Sequence, residues 1–598
     1  MSTSCPEVER RSISEGSSRL LLGVVPGLAL LALACSANVP RSSGVSPAIG
    51  PDGMPVAAGT GGDGSVPGTG MPGVGGGTGA GTGGGDAPLI PGPNGTPCAP
   101  GAPLAPARVW LLSDEQVVKV SSDVFGVTLT GGDAQITTAN GVSGNYTNFS
   151  EAFQVDVTAA QGYQRAAQKI AQQVKPCGSA VAAACVEQFI HDKIARAWRR
   201  PLAAAETAGL MKIYNDFSAT EGGDEALSMV IQAALQSGSF LYRTEIGVDA
   251  SAATAPVALT ANEVASAISF LLLDSAPDDA LWAAANSGTL LQPAVLTAEV
   301  DRLLAVQRVR DNVSELVRYW AGVERIRSSA KDLGLFPEYT PSLKESLYAG
   351  ASAFLRDTVW SGKFSDLFSS RKVYANNELA SVYGLPAVAG SELVAVDIAA
   401  SQPAAGLLTQ PGVLAASNQH KDSGDPIHRG LFVYNSFVCG GTVPAPPAGA
   451  LDVSKTMTGT ARELAAKRAA LPTCAGCHSL FDPLGLAFEQ FDPIGRFKPQ
   501  DANGMAIDSS ATLAGLGADL DGPITGVVDL AQRLANRPAT ANCATQTLAK
   551  YSLGFTSAVE SCDLADARSK FATSGSFADF FRALLTAPGF MVRDPALK

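Results

Sequence analysis

Histidine is scarce in this chain, with only four residues among 598. No pair of histidines stands at metalloprotease spacing, and no Gly-x-Ser-x-Gly elbow is present, so the common hydrolase signatures are missing. Charged residues are also few, at 16%, and acidic residues outnumber basic ones by 55 to 43. Nucleic acid binding favours a basic face, so the net charge of −12 predicts no nucleic acid partner.

Long apolar runs are missing except near the N-terminus. There, Arg10, Arg11 and Arg19 precede an apolar run from Leu20 to Ala34. The run is too short to span a bilayer comfortably and it ends in small residues, which is typical of a signal peptide. We therefore expect residues 1–34 to be a signal peptide and the protein to lie outside the cytoplasm.

Cys35 directly follows Ala32-Leu33-Ala34, which resembles the cleavage box of a bacterial lipoprotein. The residues three and two places before the cysteine depart from the usual box, so ordinary cleavage without a lipid is the alternative. Residues 35–103 are rich in Gly and Pro and predict a disordered linker. A lipid on Cys35 and a long tether together favour a periplasmic or cell-surface protein anchored to a membrane, the outer membrane in our interpretation.

The remaining chain has mostly helical hydrophobic spacing, and alternation typical of strands is sparse. Ser113-Asp114-Glu115 predicts a cap within a helix from Leu104 to Gly126, and Thr260 with Glu263 predicts a capping box. The predicted fold class is mainly α: a helical body of several modules, preceded by the disordered Gly-rich tether. The predicted boundaries are 104–170, 180–250 and 255–388 for three helical modules, 404–505 for a module with shorter elements and 506–598 for a last helical module.

The strongest chemical signal is Cys474-Ala475-Gly476-Cys477-His478. Two thiols one helical turn apart can form thioethers to the two vinyl groups of one haem, and the following histidine can ligate the iron. We therefore predict one covalent haem c, attached by Cys474 and Cys477 with His478 as the metal ligand. Export agrees with this prediction, because such haems are attached outside the cytoplasm.

Other interpretations of the same cysteine pair exist. A disulfide or a thioredoxin-like redox pair is one, although no βαβ unit is visible around it. A zinc site is another, although no second Cys-x-x-Cys or histidine pair stands at zinc-finger spacing.

The sixth haem ligand is open among His428, His420, Met505, Met457 and a vacant position. His428 ranks first because it lies in a tight polar segment of the same module, Asp425 to Gly430.

Two Asp-Pro steps after the motif, Asp482-Pro483 and Asp492-Pro493, predict turns. Arg429 and Arg496 are candidates to pair with a haem propionate.

Six cysteines remain after Cys5, Cys35 and the motif are set aside, and an even number in an exported chain suggests disulfides. Cys177 with Cys185 and Cys543 with Cys562 are close in sequence, and Cys98 with Cys439 follows only by elimination. Buried free thiols are the alternative.

The chain resembles the planctomycete and myxobacterial family of large secreted proteins built from cytochrome-C-like and cytochrome-associated modules, most of them of unknown function. The resemblance rests on Ala197 to Leu202, on Phe240 to Arg243, on Asn377 to Gly384 and above all on Cys474 to Gly495. It implies that residues 404–505 are a cytochrome-c-like module with haem c at Cys474, Cys477 and His478, and it implies no particular reaction.

These features predict a monohaem c-type cytochrome-like protein in electron transfer or haem-dependent oxidation, with a redox partner that the sequence does not identify. The alternative is an extracytoplasmic binding or scaffold protein in which a haem, or a Cys474–Cys477 disulfide, has only a structural role.

Overall fold

The computed structural model describes residues 90–91, 97–98, 100–129, 155–178, 181–247, 255–441, 443, 457–554 and 561–596. The predicted signal peptide, Cys35 and most of the predicted linker lie outside these residues. All of these residues belong to one compact unit. Its described part is mainly α, as the hydrophobic spacing predicted.

The first long helix shows how local sequence sets a boundary. Ser113 caps helix Asp114–Phe125, because its hydroxyl accepts the Gln116 backbone N–H and the Gln116 side chain accepts the Ser113 N–H. The predicted cap is confirmed, but a helix starting at Leu104 is wrong. Residues Arg108–Leu111 form a strand that pairs antiparallel with Tyr242–Glu245, and this distant pairing overrides the local pattern.

Helices dominate the first part of the body. They are Asp114–Phe125, Val157–Gln173, Ala183–Phe189, the π-turn Ile190–Ile194, Ala195–Ala197, Ala204–Glu221, Gly223–Leu235 and Gly238–Leu241.

The middle part is built the same way. Thr260 accepts the Glu263 backbone N–H and Glu263 accepts the Thr260 N–H, which confirms the predicted capping box. Its helices are Ala261–Leu272, Asp279–Asn286, the 3₁₀ turn Thr289–Leu291, Pro293–Leu304, Gln307–Trp320, Arg325–Ser328, Pro341–Ser361, Asp366–Ser369 and Asn377–Tyr383.

Shorter helices follow towards the C-terminus. They are the 3₁₀ turn Gly406–Thr409, Pro411–Ser417, Pro426–Val433, the π-turn Tyr434–Val438, Ala461–Ala470, Pro472–Leu486, Val527–Asn536, Pro538–Leu553, Cys562–Ser574, Phe577–Leu585 and the 3₁₀ turn Pro588–Met591.

Short strands tie distant parts of the body together. Val592–Asp594 pairs parallel with Ala105–Pro106 and antiparallel with Val257–Ala258, so the last strand joins segments from the start and the middle of the body. The other pairs are antiparallel: Ile90–Pro91 with Pro97–Cys98, Lys372–Ala375 with Val394–Asp397, and Ala511–Leu513 with Gly522–Ile524.

Most of the apolar interior of the described residues is divided between two large clusters. One lies within residues 111–276 and the other runs from Leu104 to Phe590. The larger cluster includes Phe354, Leu484 and Phe580, so the segments around residues 350, 480 and 580 share one core. The segment that follows the motif, residues 481–488, is therefore part of the core of the body.

The disulfides confirm one predicted pair and correct two. Cys177 is bonded to Cys185, as predicted. Cys543 is bonded to Cys439, 104 residues away, so the pairs Cys543–Cys562 and Cys98–Cys439 are wrong.

The correction has a physical reason. Tertiary packing places the end of the π-turn Tyr434–Val438 beside helix Pro538–Leu553, and proximity in sequence does not decide the pairing. Cys562 is also in a disulfide, and the Cys98 side chain lies outside the described residues. Disulfides persist in oxidising compartments, so these bonds fit an extracytoplasmic protein.

In the part of the chain that the structure describes, every helix is too short or too polar to cross a bilayer.

Candidate functional site

The Cys-x-x-Cys-His motif opens one helix, Pro472–Leu486, which we call the motif helix. Proline in its first turn costs no hydrogen bond, because the N–H of that position has no partner in a helix. Residues three and four apart share a helix face, so Cys474 lies on the same face as Cys477 and His478.

Both motif thiols are free and half-buried in the structure. The other described cysteine side chains, those of residues 177, 185, 439, 543 and 562, are all disulfide-bonded. The Cys474–Cys477 disulfide of the alternative interpretation is therefore not formed. Two free thiols one turn apart can bond the two vinyl groups of a c-type haem, and the imidazole that follows them can ligate its iron.

His478 is oriented by a buried ion pair. Its Nδ1 lies 2.9 Å from Oδ1 of Asp482, and the Arg468 Nε donates to Oδ2 of the same carboxylate at 2.8 Å. The side chains of Arg468 and Asp482 are only 7% and 3% exposed. A carboxylate that accepts the Nδ1–H leaves Nε2 as the nitrogen available to a metal, which is how proteins commonly orient a histidine ligand.

Asp482 was expected in a turn, and that prediction is wrong. Asp482 and Pro483 lie inside the motif helix, one turn beyond His478. The available signal was the spacing of four residues between His478 and Asp482, which places an imidazole and a carboxylate on one helix face.

A second helix, Pro426–Val433, crosses the motif helix at two glycines, and we call it the crossing helix. A Cβ on Gly430 would lie 1.9 Å from the Phe481 carbonyl oxygen, and a Cβ on Gly485 would lie 1.7 Å from the Pro426 carbonyl oxygen. The two backbones are therefore in direct contact. This crossing fixes the position of the motif helix in the body.

Arg429 and Arg496, the expected propionate partners, are occupied by protein groups. Arg429 is fully buried and donates to the carbonyls of Phe488, Phe491 and Asp492, and burial lowers its pKa to about 10. Arg496 is paired with Asp492 at 2.7 Å and with Glu338. Both side chains are held by protein groups, and a haem propionate as a partner of either one stays a prediction.

The structure brings two of the candidate sixth ligands together. His428 Nδ1 lies 2.7 Å from Asp425 Oδ2, and His420 Nε2 lies 3.9 Å from the same oxygen. Burial alone would raise the pKa of Asp425, but the ring and backbone hydrogen bonds from His428 outweigh it and lower the pKa to about 2. Sequence reasoning missed Asp425 as a site residue, although Asp-Pro-x-His is the pattern of a helix cap followed by a histidine.

The two methionines that are candidates for the sixth haem ligand are Met505 and Met457. Met505 stands on a turn closed by Asp501, with its side chain solvent-exposed. Met457 is half-buried at the start of the described stretch 457–554.

The described body is mainly helical and disulfide-bonded, and one of its helices opens with the Cys-x-x-Cys-His motif. Three family models match consecutive parts of the chain: a protein of unknown function DUF1595 (PSD5) at 185–245, DUF1592 (PSD4) at 259–385 and DUF1588 (PSCyt3) at 404–501. These are the planctomycete cytochrome-C-associated domains of unknown function, the same domains that the resemblance of the sequence had suggested, and the chain is similar to them over these residues. No curated protein and no solved structure matches the chain.

Proposed function

We propose that this chain is an extracytoplasmic c-type cytochrome-like protein with one haem, bound covalently by Cys474 and Cys477 and ligated by His478. A haem bound there would supply a one-electron redox centre for electron transfer or haem-dependent oxidation. We further propose that a lipid on Cys35 anchors the protein to a membrane.

The observation that carries the proposal is the hydrogen bond between His478 and Asp482, which orients the His478 ring. A histidine that ligates a metal almost always donates its other ring N–H to a carboxylate or a carbonyl, and Asp482 is placed to accept it from His478 Nδ1. Burying a charged pair such as Arg468 and Asp482 is costly, so its position beside the motif histidine favours a function for it. Cys474 and Cys477 stand just before His478, and both are free to form the covalent attachment.

The test is a reduced pyridine haemochrome spectrum of the denatured protein, made in a host with cytochrome c maturation. We expect a covalent c-type band in the wild type, a loss of that band in Cys474→Ala/Cys477→Ala, and weakened attachment in Cys477→Ala. Cys177→Ala/Cys185→Ala is the matched control, because it removes two cysteines outside the motif and should keep the band. A wild-type protein without haem would contradict the proposal and favour the binding or scaffold interpretation.

If haem is present, a redox titration separates the two candidate roles. The packing of the motif helix into the larger core is the observation that favours a structural staple. A reversible haem redox couple that small mediators can reach supports electron transfer, whereas a haem that does not exchange electrons with mediators supports a purely structural role.

We expect Asp482→Asn to raise the reduction potential of the bound haem. A carboxylate hydrogen bond makes a ligand histidine more basic and stabilises the oxidised metal, so its loss favours the reduced state. A tenfold change in the equilibrium constant corresponds to about 59 mV for one electron, and we expect a rise of this order. Potentiometry of the visible band measures it.

Asp508→Asn is the control for this substitution, because Asp508 is an exposed aspartate that pairs with an arginine, Arg462, at the surface. It should leave the potential unchanged. An unchanged or lower potential in Asp482→Asn, in a folded and haem-loaded protein, would contradict the role given to Asp482.

A further inference from the structure

We propose that His420, Asp425 and His428 form a binding site for a divalent first-row transition metal ion, such as Zn²⁺ or Co²⁺, separate from the haem motif. Each residue offers one donor atom, and the three donors lie within 4.8 Å of one another. Among the described residues, this is the group of metal-binding side chains that geometry brings together.

The spacing of the donors is close to that of a bound ion. Zinc binds nitrogen and oxygen ligands at about 2.0–2.1 Å, so tetrahedral ligands stand about 3.3 Å apart. Asp425 Oδ2 is 2.7 Å from His428 Nδ1 and 3.9 Å from His420 Nε2, which brackets that value. Without a metal ion, the short contact is a hydrogen bond from His428 Nδ1 to Asp425, and a metal ion would displace that proton. Small rotations of the exposed rings would equalise the two distances.

The Asp425 carboxylate is held in place by backbone hydrogen bonds. Asp425 is fully buried and caps the crossing helix, with Oδ1 accepting the His428 backbone N–H. Its Oδ2 also accepts the backbone N–H groups of Gln419 and His420. The anion is therefore fixed at the bottom of the site, while the His420 and His428 side chains are 48% and 33% exposed and leave an open side for water ligands.

The His420 ring is held with Nε2 on the side of the carboxylate. Its Nδ1 lies 3.3 Å from the Gly424 carbonyl oxygen and 3.5 Å from the Ser423 hydroxyl, and its Nε2 lies 3.9 Å from Asp425 Oδ2. When Nδ1–H donates to the Gly424 carbonyl, Nε2 presents a lone pair towards Asp425, an arrangement that a cation between the two groups would stabilise.

The two neighbouring cationic side chains, Lys331 and Arg429, donate to backbone carbonyls and not to Asp425. Lys331 donates to the carbonyls of Asn418 and His420, and so holds the loop that carries His420. Arg429, next to His428, donates to carbonyls deeper in the body. Two imidazoles and one carboxylate are ligands that suit Zn²⁺, Co²⁺ and Fe²⁺ better than Ca²⁺ or Mg²⁺.

The test is titration of the full chain with Co²⁺, followed by absorption spectroscopy and calorimetry, in a Cys474→Ser/Cys477→Ser background that removes the motif thiols. We expect one Co²⁺ per chain with a nitrogen and oxygen ligand spectrum, and competition by Zn²⁺. His420→Ala or His428→Ala should weaken binding at least about tenfold. His191→Ala, which removes an exposed histidine from another helix, is the matched control and should leave binding unchanged.

A second readout covers variants that fold poorly. Zn²⁺ should raise the unfolding temperature of the parent and of His191→Ala, and not that of His420→Ala or His428→Ala. Absence of binding, or equal binding in all four proteins, would overturn the site. A haem-loaded protein whose low-spin spectrum is lost in His428→Ala would overturn it too, because His428 would then be an iron ligand.

Discussion

Replacing Gly430 by alanine is expected to lower the free energy of unfolding by at least about 3 kcal/mol, at the upper end of overpacking costs. The new Cβ would stand 1.9 Å from the Phe481 carbonyl oxygen, which no real contact allows. The obstacle is backbone rather than a side chain that can rotate away, so the crossing helix and the motif helix must separate. Gly485→Ala creates the same conflict, at 1.7 Å from the Pro426 carbonyl oxygen.

The matched control is Gly209→Ala, in the middle of helix Ala204–Glu221, where a Cβ would meet nothing within 4 Å. Alanine is the better helix former by about 1 kcal/mol, so this variant should be slightly more stable than the wild type. The midpoints of urea unfolding should therefore move in opposite directions for Gly209→Ala and Gly430→Ala. A stabilised or neutral Gly430→Ala would contradict the close crossing.

The second large effect is expected at Glu245, the acid at the centre of a buried ionic cluster. Arg593 Nε donates to Glu245 Oε2 at 2.6 Å and Arg108 donates to the same oxygen at 3.3 Å. Arg243 is buried beside them, and its Nε has no hydrogen-bond partner. Glu245→Gln leaves three guanidinium groups without their counter-charge, and removing one member of a buried pair costs about 3–5 kcal/mol.

The exposed pair Arg327–Glu345, at 3.0 Å, provides the control. Glu345→Gln should cost less than about 1 kcal/mol, because solvent screens surface ion pairs. Equal losses in urea unfolding for Glu245→Gln and Glu345→Gln would contradict the importance of the buried cluster.

The same cluster predicts a pH dependence. Burial alone would raise the pKa of Glu245, but Arg593, Arg108 and Arg243 outweigh it and lower the pKa from its usual 4.5 to about 2. The stabilisation from Glu245 is therefore complete above about pH 4.5 and is lost as the pH falls through about 2. The difference in stability between the wild type and Glu245→Gln should shrink across this interval, as unfolding at a series of pH values would measure.

Local signals in the sequence predicted the parts of the fold that local chemistry decides. The Thr260 capping box and the Ser113 cap need only residues three apart, and both form. Asp492-Pro493 makes its predicted turn, in which the Gly495 N–H is bonded to the Asp492 carbonyl and Gly495 has a positive φ of 88°. Asp482-Pro483 is the same dipeptide, but it lies in a helix. The Asp492 carboxylate accepts backbone N–H groups of its own turn, whereas the Asp482 carboxylate is bonded to the side chains of Arg468 and His478.

What the sequence did not reveal depends on contacts between distant segments. The strand Arg108–Leu111 requires its partner near residue 243, and Cys543 requires a cysteine 104 residues away. The motif itself was readable, because Cys474, Cys477 and His478 are adjacent in the chain. The position of Arg468 beside Asp482 became visible only once two helices were packed, and that of His420 beside Asp425 only once the loop before the crossing helix was in place.

The haem is the central claim, and the mass of one peptide tests it most directly. No lysine or arginine stands between Arg468 and Arg496, so trypsin releases residues 469–496 with Cys474, Cys477 and His478 together. In protein made with cytochrome c maturation, we predict that this peptide carries the added mass of one haem, and that Cys474→Ala/Cys477→Ala removes it. A wild-type peptide at its unmodified mass, or two hydrogens lighter as a disulfide, would contradict the account.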